Sequence, residues 1–502
     1  MSSERAPAST HGLPPSKTVI VDGVLRFPPT GTKALVVGAG VGGLMVALEC
    51  WRKGIEVEVV EKAEKISPLG MRKGDIFAIG PSALTTFHKY PSMVKEYDDI
   101  FHDAYITFEA RNGTEIMPPV EFEWNREGVA QNDAYPLRVK APVGRVQFAE
   151  MLFRQCKRLQ IPVTFGVTVE KYEEDITNGS ATAITLDGRR FTADLIIAAD
   201  GIGTKSHAVT LGQPVRAHKT GFLVYRGMYS TERLKGAPVA EDIIRNLERP
   251  VLHFLKANKV HCVFFLSKSH VSIAMTTEED DVAAMESWSS TVSNETALSS
   301  LPEPDTWSPL LLDLIRHAPE NSIVKWSLCF RNSQPRWTSS GGRIVQLGDS
   351  AHSFLPTSGN GATQSLEDAA SLPECLRMVS NKEVGIATKV HELLRYQRVS
   401  LIQRTGFVNM QDVHREADPN VVEDEPPLHQ GKWLWAHNPE KYATENFTKA
   451  RANLENGSAF ENTNLPAGHK WSDWTMEDEL SKQKAGIRTT HELKTNGDWS
   501  SV

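Results

Sequence analysis

No stretch of this 502-residue chain stays apolar for the roughly 18–20 residues that a bilayer span requires. Its start, MSSERAPASTHGLPPSKT, has no apolar signal core. Polar and rich in Pro and Ser, it reads as part of a disordered arm over residues 1–32. The cysteines, Cys50, Cys156, Cys262, Cys329 and Cys375, are odd in number and scattered. Without an export signal they read as reduced thiols in a cytoplasmic protein. No Cys or His spacing suits a metal. A basic excess is missing too: 55 Lys and Arg stand against 62 Asp and Glu, a net charge of -7. That argues against a nucleic-acid surface. There is no internal repeat or low-complexity tract, and nothing in these counts fixes an oligomeric state.

What is present is globular: 40% hydrophobic and 23% charged residues, in a chain too long for one ordinary core. KALVVGAGVGGLMVALECWRKGIEVEVVEKA reads as strand, turn, helix, strand, with Leu44, Leu48 and Trp51 at helical spacing and Gly54 as the stop. ADLIIAADG and GGRIVQLGD are further buried-type strands. Between them GFLVYRGMYS, VLHFLKANKVHCVFFL and VSIAMTT look like antiparallel strands with a turn at Lys256–Lys259, and YITFEARNGTEIMP adds a hairpin. This predicts an α/β domain carrying an inserted, mainly antiparallel sheet. After about Gln403 the chain turns polar; WLWAHNPEKYATENFTKARANL reads as a helical cap on the core.

Three motifs carry chemistry. Gly38-x-Gly40-x-x-Gly43 sits between a strand and a helix, where glycines allow a tight turn and close approach of a pyrophosphate to a helix N-terminus. Glu61 ends the next strand 18 residues beyond Gly43, the place for a carboxylate on ribose hydroxyls. Far downstream lies GDSAHSFLPTSGNGATQSLEDA. There Asp349 can accept from a polyol, Pro356 stiffens the loop, and Gly359 and Gly361 let backbone approach a flat ring. The following helix aims its positive end at that ring, which suits a ring that becomes anionic on reduction. One long cofactor, FAD, explains both distant motifs. Asp200-Gly201, in AADGIGTKSH, ends another strand near the pyrophosphate.

Taken in this order, the motifs resemble the class A flavoprotein monooxygenases, the family of para-hydroxybenzoate and salicylate hydroxylases, over about residues 33 to 410. The resemblance implies a Rossmann-like FAD-binding domain of the GR2 type over 33–98, 141–212 and 335–420. It also implies a substrate-binding sheet over 99–140 and 213–334, followed by a helical or irregular extension over 421–502. It maps FAD contacts onto Glu61, Asp349 and Ala362, onto Arg145 in VGRVQFAEML, and onto Gly74 beside the flavin. Thr204 and His207 stand where the family usually has Ser and Arg, which leaves the docking of NADPH or NADH open. No second dinucleotide fingerprint appears, in keeping with a nicotinamide that visits transiently.

In such enzymes reduced flavin and dioxygen form a hydroperoxide whose distal oxygen attacks an electron-rich carbon. The implied activity is hydroxylation or epoxidation of an aromatic or indole-like secondary metabolite, in the manner of alkaloid biosynthesis. Strand alternation puts Tyr225 and Arg226 of LVYRGM on opposite faces. In similar fungal enzymes the Arg faces the active site, so Arg226 is the catalytic candidate and Tyr225 reads as packing. Fungal indole monooxygenases that make epoxides and spirooxindoles are similar in placing an Asp where this chain has Asp75. Asp75 and Arg226 together would orient an indole N–H. A simple phenol or salicylate hydroxylase is the near alternative, and a flavin-fold protein without turnover the distant one.

Overall fold

The computed structural model describes residues 18–66, 76–127, 129, 138–257, 259–279, 291–414 and 431–500. The candidates Gly74 and Asp75 lie outside the described residues. Strand β1 (Lys33–Val37), helix α1 (Val41–Arg52) and β2 (Glu56–Val60) are followed by β3 (Tyr105–Ala110) and β4 (Glu115–Val120). Next come α2 (Arg145–Arg158), β5 (Val163–Thr164) and β6 (Leu195–Ala198). Five longer strands follow: β7 (His218–Ser230), β8 (Val251–Ala257), β9 (Val260–Leu266), β10 (His270–Glu278) and β11 (Ile323–Phe330). Then β12 (Ile344–Gln346) leads to α3 (Gly361–Arg377), the long α4 (Val384–His414) and α5 (Pro439–Asn456).

The first sheet is parallel throughout, in the order β12-β6-β1-β2-β5. β1, β6 and β12 are near-continuous buried runs because both faces are covered there, whereas β2, EVEVV, alternates and exposes Glu56 and Glu58. On one side α1 packs against α3, and every residue from Gly43 to Arg52 is buried. On the other side a three-stranded antiparallel sheet (Val169–Asp175, Ser180–Thr185, Arg190–Ala193) buries Tyr172, Ala181 and Ala183 against Leu35, Val37 and Ile196.

The second sheet runs Thr291–Val292, β11, β7, β10, β9, β8, β3, β4, antiparallel except for the β8–β3 pair. One face packs Leu223, Tyr225, Leu255 and Cys262 against the apolar side of helix Pro309–Arg316. The other face borders a cavity. The expected Rossmann-like domain with an inserted antiparallel sheet and a C-terminal helical extension is therefore the fold. In that extension α5 sinks Ala443, Phe447 and Ala450 into the main core. No helix among the described residues is long and apolar enough to cross a membrane.

The disordered arm expected over residues 1–32 needs correction from residue 18 onward. Val19–Val21 and Val24–Arg26 form a hairpin, and Val24 is fully buried. The Phe27 amide then donates to Arg52 O (2.8 Å) and Thr30 to Gly54 O (3.0 Å). Gly54 has a φ of +81°, and a Cβ there would stand 2.1 Å from Pro28 O. The segment is held through backbone groups, which composition does not reveal.

Candidate functional site

A cavity of about 940 Å³ extends from the glycine loop after β1 to the open face of the second sheet. It is lined by Gly38, Gly40, Gly43, Glu61, Arg145, Asp200, Asp349, Pro356, Gly361, Ala362 and Arg226. Residues from distant stretches of chain thus meet around one space.

Each loop glycine has its own physical reason. Gly38 has φ +107°, and a Cβ would sit 2.4 Å from Ala199 O. A Cβ on Gly43 would sit 1.9 Å from Gly38 O, so this glycine sets how closely α1 packs on its own loop. At Gly40 a Cβ would meet nothing within 4 Å, so the backbone there is bare toward the cavity. Gly40 caps α1 without a side-chain hydrogen bond, and the first turn holds no acid, which leaves the helix N–H groups for a ligand anion. Glu61 accepts from the Ala39 amide (2.7 Å, Oε2) and the Ala63 amide (2.9 Å, Oε1). It braces the loop while each oxygen keeps a lone pair.

The downstream motif closes the same end. No described residue donates a hydrogen bond to the Asp349 carboxylate, and Ser353 Oγ is buried without a partner on the cavity wall. Helix α3 starts at Gly361 with no side-chain cap and no acid in its first turn. Asp200 plays a different part: Oδ2 accepts from the Tyr172 hydroxyl (2.7 Å) and Oδ1 from Ser350 Oγ (3.1 Å). Ser350 Oγ also accepts from the Gly201 amide (2.9 Å), so the two acidic motifs are tied through a serine that sequence reasoning did not single out. Bare backbone, an acceptor carboxylate, two uncapped helix ends and an unpartnered hydroxyl together suit the phosphates, polyol and ring of FAD.

The sheet face forms the other half. Arg226 lines the cavity, whereas Tyr225 packs in the core on the opposite face. Arg226 is joined by Val224 on its own strand and by His261, Val263, Ala274, Thr276 and Trp326 from other strands of the sheet. Phe108, Phe254, Trp124 and Trp435 add an aromatic wall. The sequence held no local sign of His261 or Trp435; only sheet register and the docked tail bring them here. His207 is 1% exposed, and neither ring nitrogen has a hydrogen-bond partner. Burial and then Arg331 push it down to about 4, so it presents no cation to an incoming nicotinamide at neutral pH.

Behind the site lies a buried charge cluster. Arg395 Nε donates to Asp368 Oδ1 (2.8 Å), and Arg398 donates to both oxygens of Glu367 (2.9 and 3.0 Å). Burial pushes Glu367 up, but Arg398 and Arg395 outweigh it and hold it well below the usual carboxylate range. Asp368 Oδ2 accepts from the Gly348 amide (3.2 Å) and from His352 Nε2 (2.6 Å), which fixes the residue before Asp349. Arg398 also donates to Trp433 O (3.0 Å) and Leu434 O (2.8 Å), which fixes the segment carrying Trp435.

Nearby, burial pushes His391 from 6.5 down to about 4. A folded pKa below the unfolded one means that protons bind the unfolded chain better. The contribution is full above pH 6.5 and is lost as pH falls from 6.5 toward 4. At about 1.36 kcal/mol per unit it is on the order of 3 kcal/mol. Urea midpoints measured from about pH 8 to 5 are expected to stay level at first and then decline below roughly 6.5.

Residues 31–392 match the family model described as the FAD binding domain. The chain is 36% identical over 511 residues to the FAD-dependent monooxygenase mdpD of Emericella nidulans, covering 99% of this chain and 94% of that protein. It is 35% identical over 485 residues to the FAD-dependent monooxygenase fsr3 of Gibberella fujikuroi, covering 95% and 91%. Among solved structures, CtdE in complex with FAD and substrate superposes with a TM-score of 0.75 at 27% identity, over 84% of this chain and 99% of that one.

Proposed function

The chain belongs to the FAD-dependent monooxygenases of this FAD-binding family, and from that premise we propose that it uses NADPH or NADH and dioxygen to place one oxygen atom on an electron-rich ring, phenol- or indole-like, of a secondary metabolite. The observation that carries the reading is the continuity of one cavity from the glycine loop and Asp349 to the Arg226 face of the sheet. Gly40, Glu61, Arg145, Asp349 and Ala362 would hold FAD, which when bound supplies the activation of dioxygen. The chain's own residues do the rest. Phe108, Phe254, Trp124 and Trp435 hold a flat ring and exclude water. Arg226 orients an oxygen or nitrogen of the ring system and stabilises negative charge that develops there. Asp75 is a proton carrier in this reading.

The test is oxidation of NADPH and NADH by FAD-loaded enzyme, challenged with a panel of phenols and indole alkaloids. Products are identified by mass spectrometry under isotopically heavy dioxygen. Incorporation of one heavy oxygen atom into a phenol or indole is expected; an indole epoxide or a derived spirooxindole would select that branch. Bound FAD with no stimulation by any member overturns the reading. Arg226→Ala should keep bound FAD and lose product formation by roughly 100-fold or more, the usual cost of removing one charge-stabilising donor. Full turnover by that variant removes Arg226 from the mechanism.

A further inference from the structure

On the sheet face, two histidines from distant elements touch. His261 lies on β9 and lines the cavity; His414 ends α4. His414 Nδ1 lies 2.8 Å from Met410 O, and its Nε2 lies 3.0 Å from His261 Nδ1. A carbonyl can only accept, so His414 carries its proton on Nδ1 and leaves Nε2 as an acceptor when neutral. His261 must then donate from Nδ1, which leaves its own Nε2 as a bare acceptor. Burial supports neutrality of both rings near pH 7, pushing His261 down to about 3 and His414 to about 4. Phe222 stacks on the His414 ring at 4.2 Å and helps to hold the pair.

Arg226, on the same face, offers only donors. The register places the two residues on strands one apart: Arg226 is opposite Ala274, which is opposite Val263, two residues along β9 from His261. Two strand spacings and two residue rises put their Cα atoms about 12 Å apart. With both side chains standing off the sheet and a hydrogen bond of about 3 Å at each end, about 6 Å remain between the ligand's own polar atoms, the span of one aromatic ring with polar groups at opposite ends.

We propose that His261, locked in one tautomer by His414, is a specificity-determining acceptor that selects an aromatic substrate bearing an O–H or N–H donor across the ring from the acceptor group held by Arg226. The proposal rests on the function proposed above and names its substrate class. A protonatable, freely rotating histidine would accept or donate; this one only accepts. A substrate capped by an ether at that position leaves Nε2 without a partner and is disfavoured.

The test uses FAD-loaded enzyme and three probes: 2-hydroxyanthraquinone, 2-aminoanthraquinone and 2-methoxyanthraquinone. All carry carbonyl acceptors; the first two add an O–H or an N–H donor, and the third has neither. Calorimetric titration is expected to show the hydroxy or amino compound binding at least tenfold tighter than the methoxy compound, and the stronger of the two identifies the donor. His261→Phe should erase the preference while keeping the flavin spectrum, and His261→Gln, which retains an acceptor oxygen, should restore part of it. His414→Phe should weaken the preference by freeing the tautomer. A merely structural role would weaken all three probes alike and leave their ratio unchanged. Equal binding of the three, no binding of any, or an undiminished ratio in His261→Phe overturns the proposal. NAD(P)H oxidation stimulated by other aromatics in the same preparation would leave the monooxygenase reading standing.

Discussion

Arg398→Met is expected to cost about 3–5 kcal/mol of stability, because it strips a buried carboxylate of one of its two arginine partners and leaves three main-chain carbonyls without this donor. Arg398 is fully buried, with both Glu367 oxygens and three main-chain carbonyls, of Trp433, Leu434 and Asn464, around its guanidinium. Met fills much of the volume but satisfies none of these acceptors. Burial would then raise Glu367, whose charge only Arg395 would still balance. Urea unfolding followed by tryptophan fluorescence measures the loss. Adding Glu367→Gln should recover part of it, since removing both ions costs less than stranding one. A second consequence is local: the carbonyls of Trp433 and Leu434 lose their anchor, so the wall that Trp435 contributes should loosen. Proteolysis should cut near residue 431 faster than elsewhere. A loss below about 1 kcal/mol would place the cluster among weak surface pairs despite its burial.

This cluster shows where sequence reading reaches and where it stops. Glycine spacing and the strand-ending carboxylates are local signals, so the loop from Gly38 to Gly43, Glu61 and Asp349 stood out in the sequence, and the fold brings them to one cavity. Strand alternation was enough to separate Arg226 from Tyr225. The hairpin over residues 19–26 was not legible, because backbone pairing anchors a segment whose composition looks unstructured. Neither was the three-stranded sheet: VEKYEED presents one buried tyrosine among charges and reads as surface. Helix α4 is buried on many sides, so Arg395 and Arg398 follow no polar stripe. His261 and His414 are 153 residues apart and meet only once β9 is set in the sheet and α4 crosses it. Contacts made by register and docking leave no mark on either local stretch.

Replacing Gly40 and Gly43 one at a time should separate two functions that the fingerprint fuses. Gly40→Ala is expected to leave the apoprotein as stable as before, or more stable by about 0.4–1 kcal/mol, since Gly40 has φ -71° and open space around a new Cβ. The methyl would instead stand on backbone bare to the cavity, where a pyrophosphate must come close. FAD affinity should fall roughly 100-fold, about 2.8 kcal/mol. Gly43→Ala has no such freedom. Its Cβ would lie 1.9 Å from Gly38 O, so loop and helix must part. That variant should lose about 1–3 kcal/mol of stability as well as FAD, because overpacking distorts the same amides that face the phosphates. Flavin absorbance per protein and urea midpoints, read on both variants, decide the matter. A yellow, fully loaded Gly40→Ala would mean that the phosphates sit elsewhere. A stable Gly43→Ala would mean that α1 is less tightly seated on its loop than the backbone contact requires.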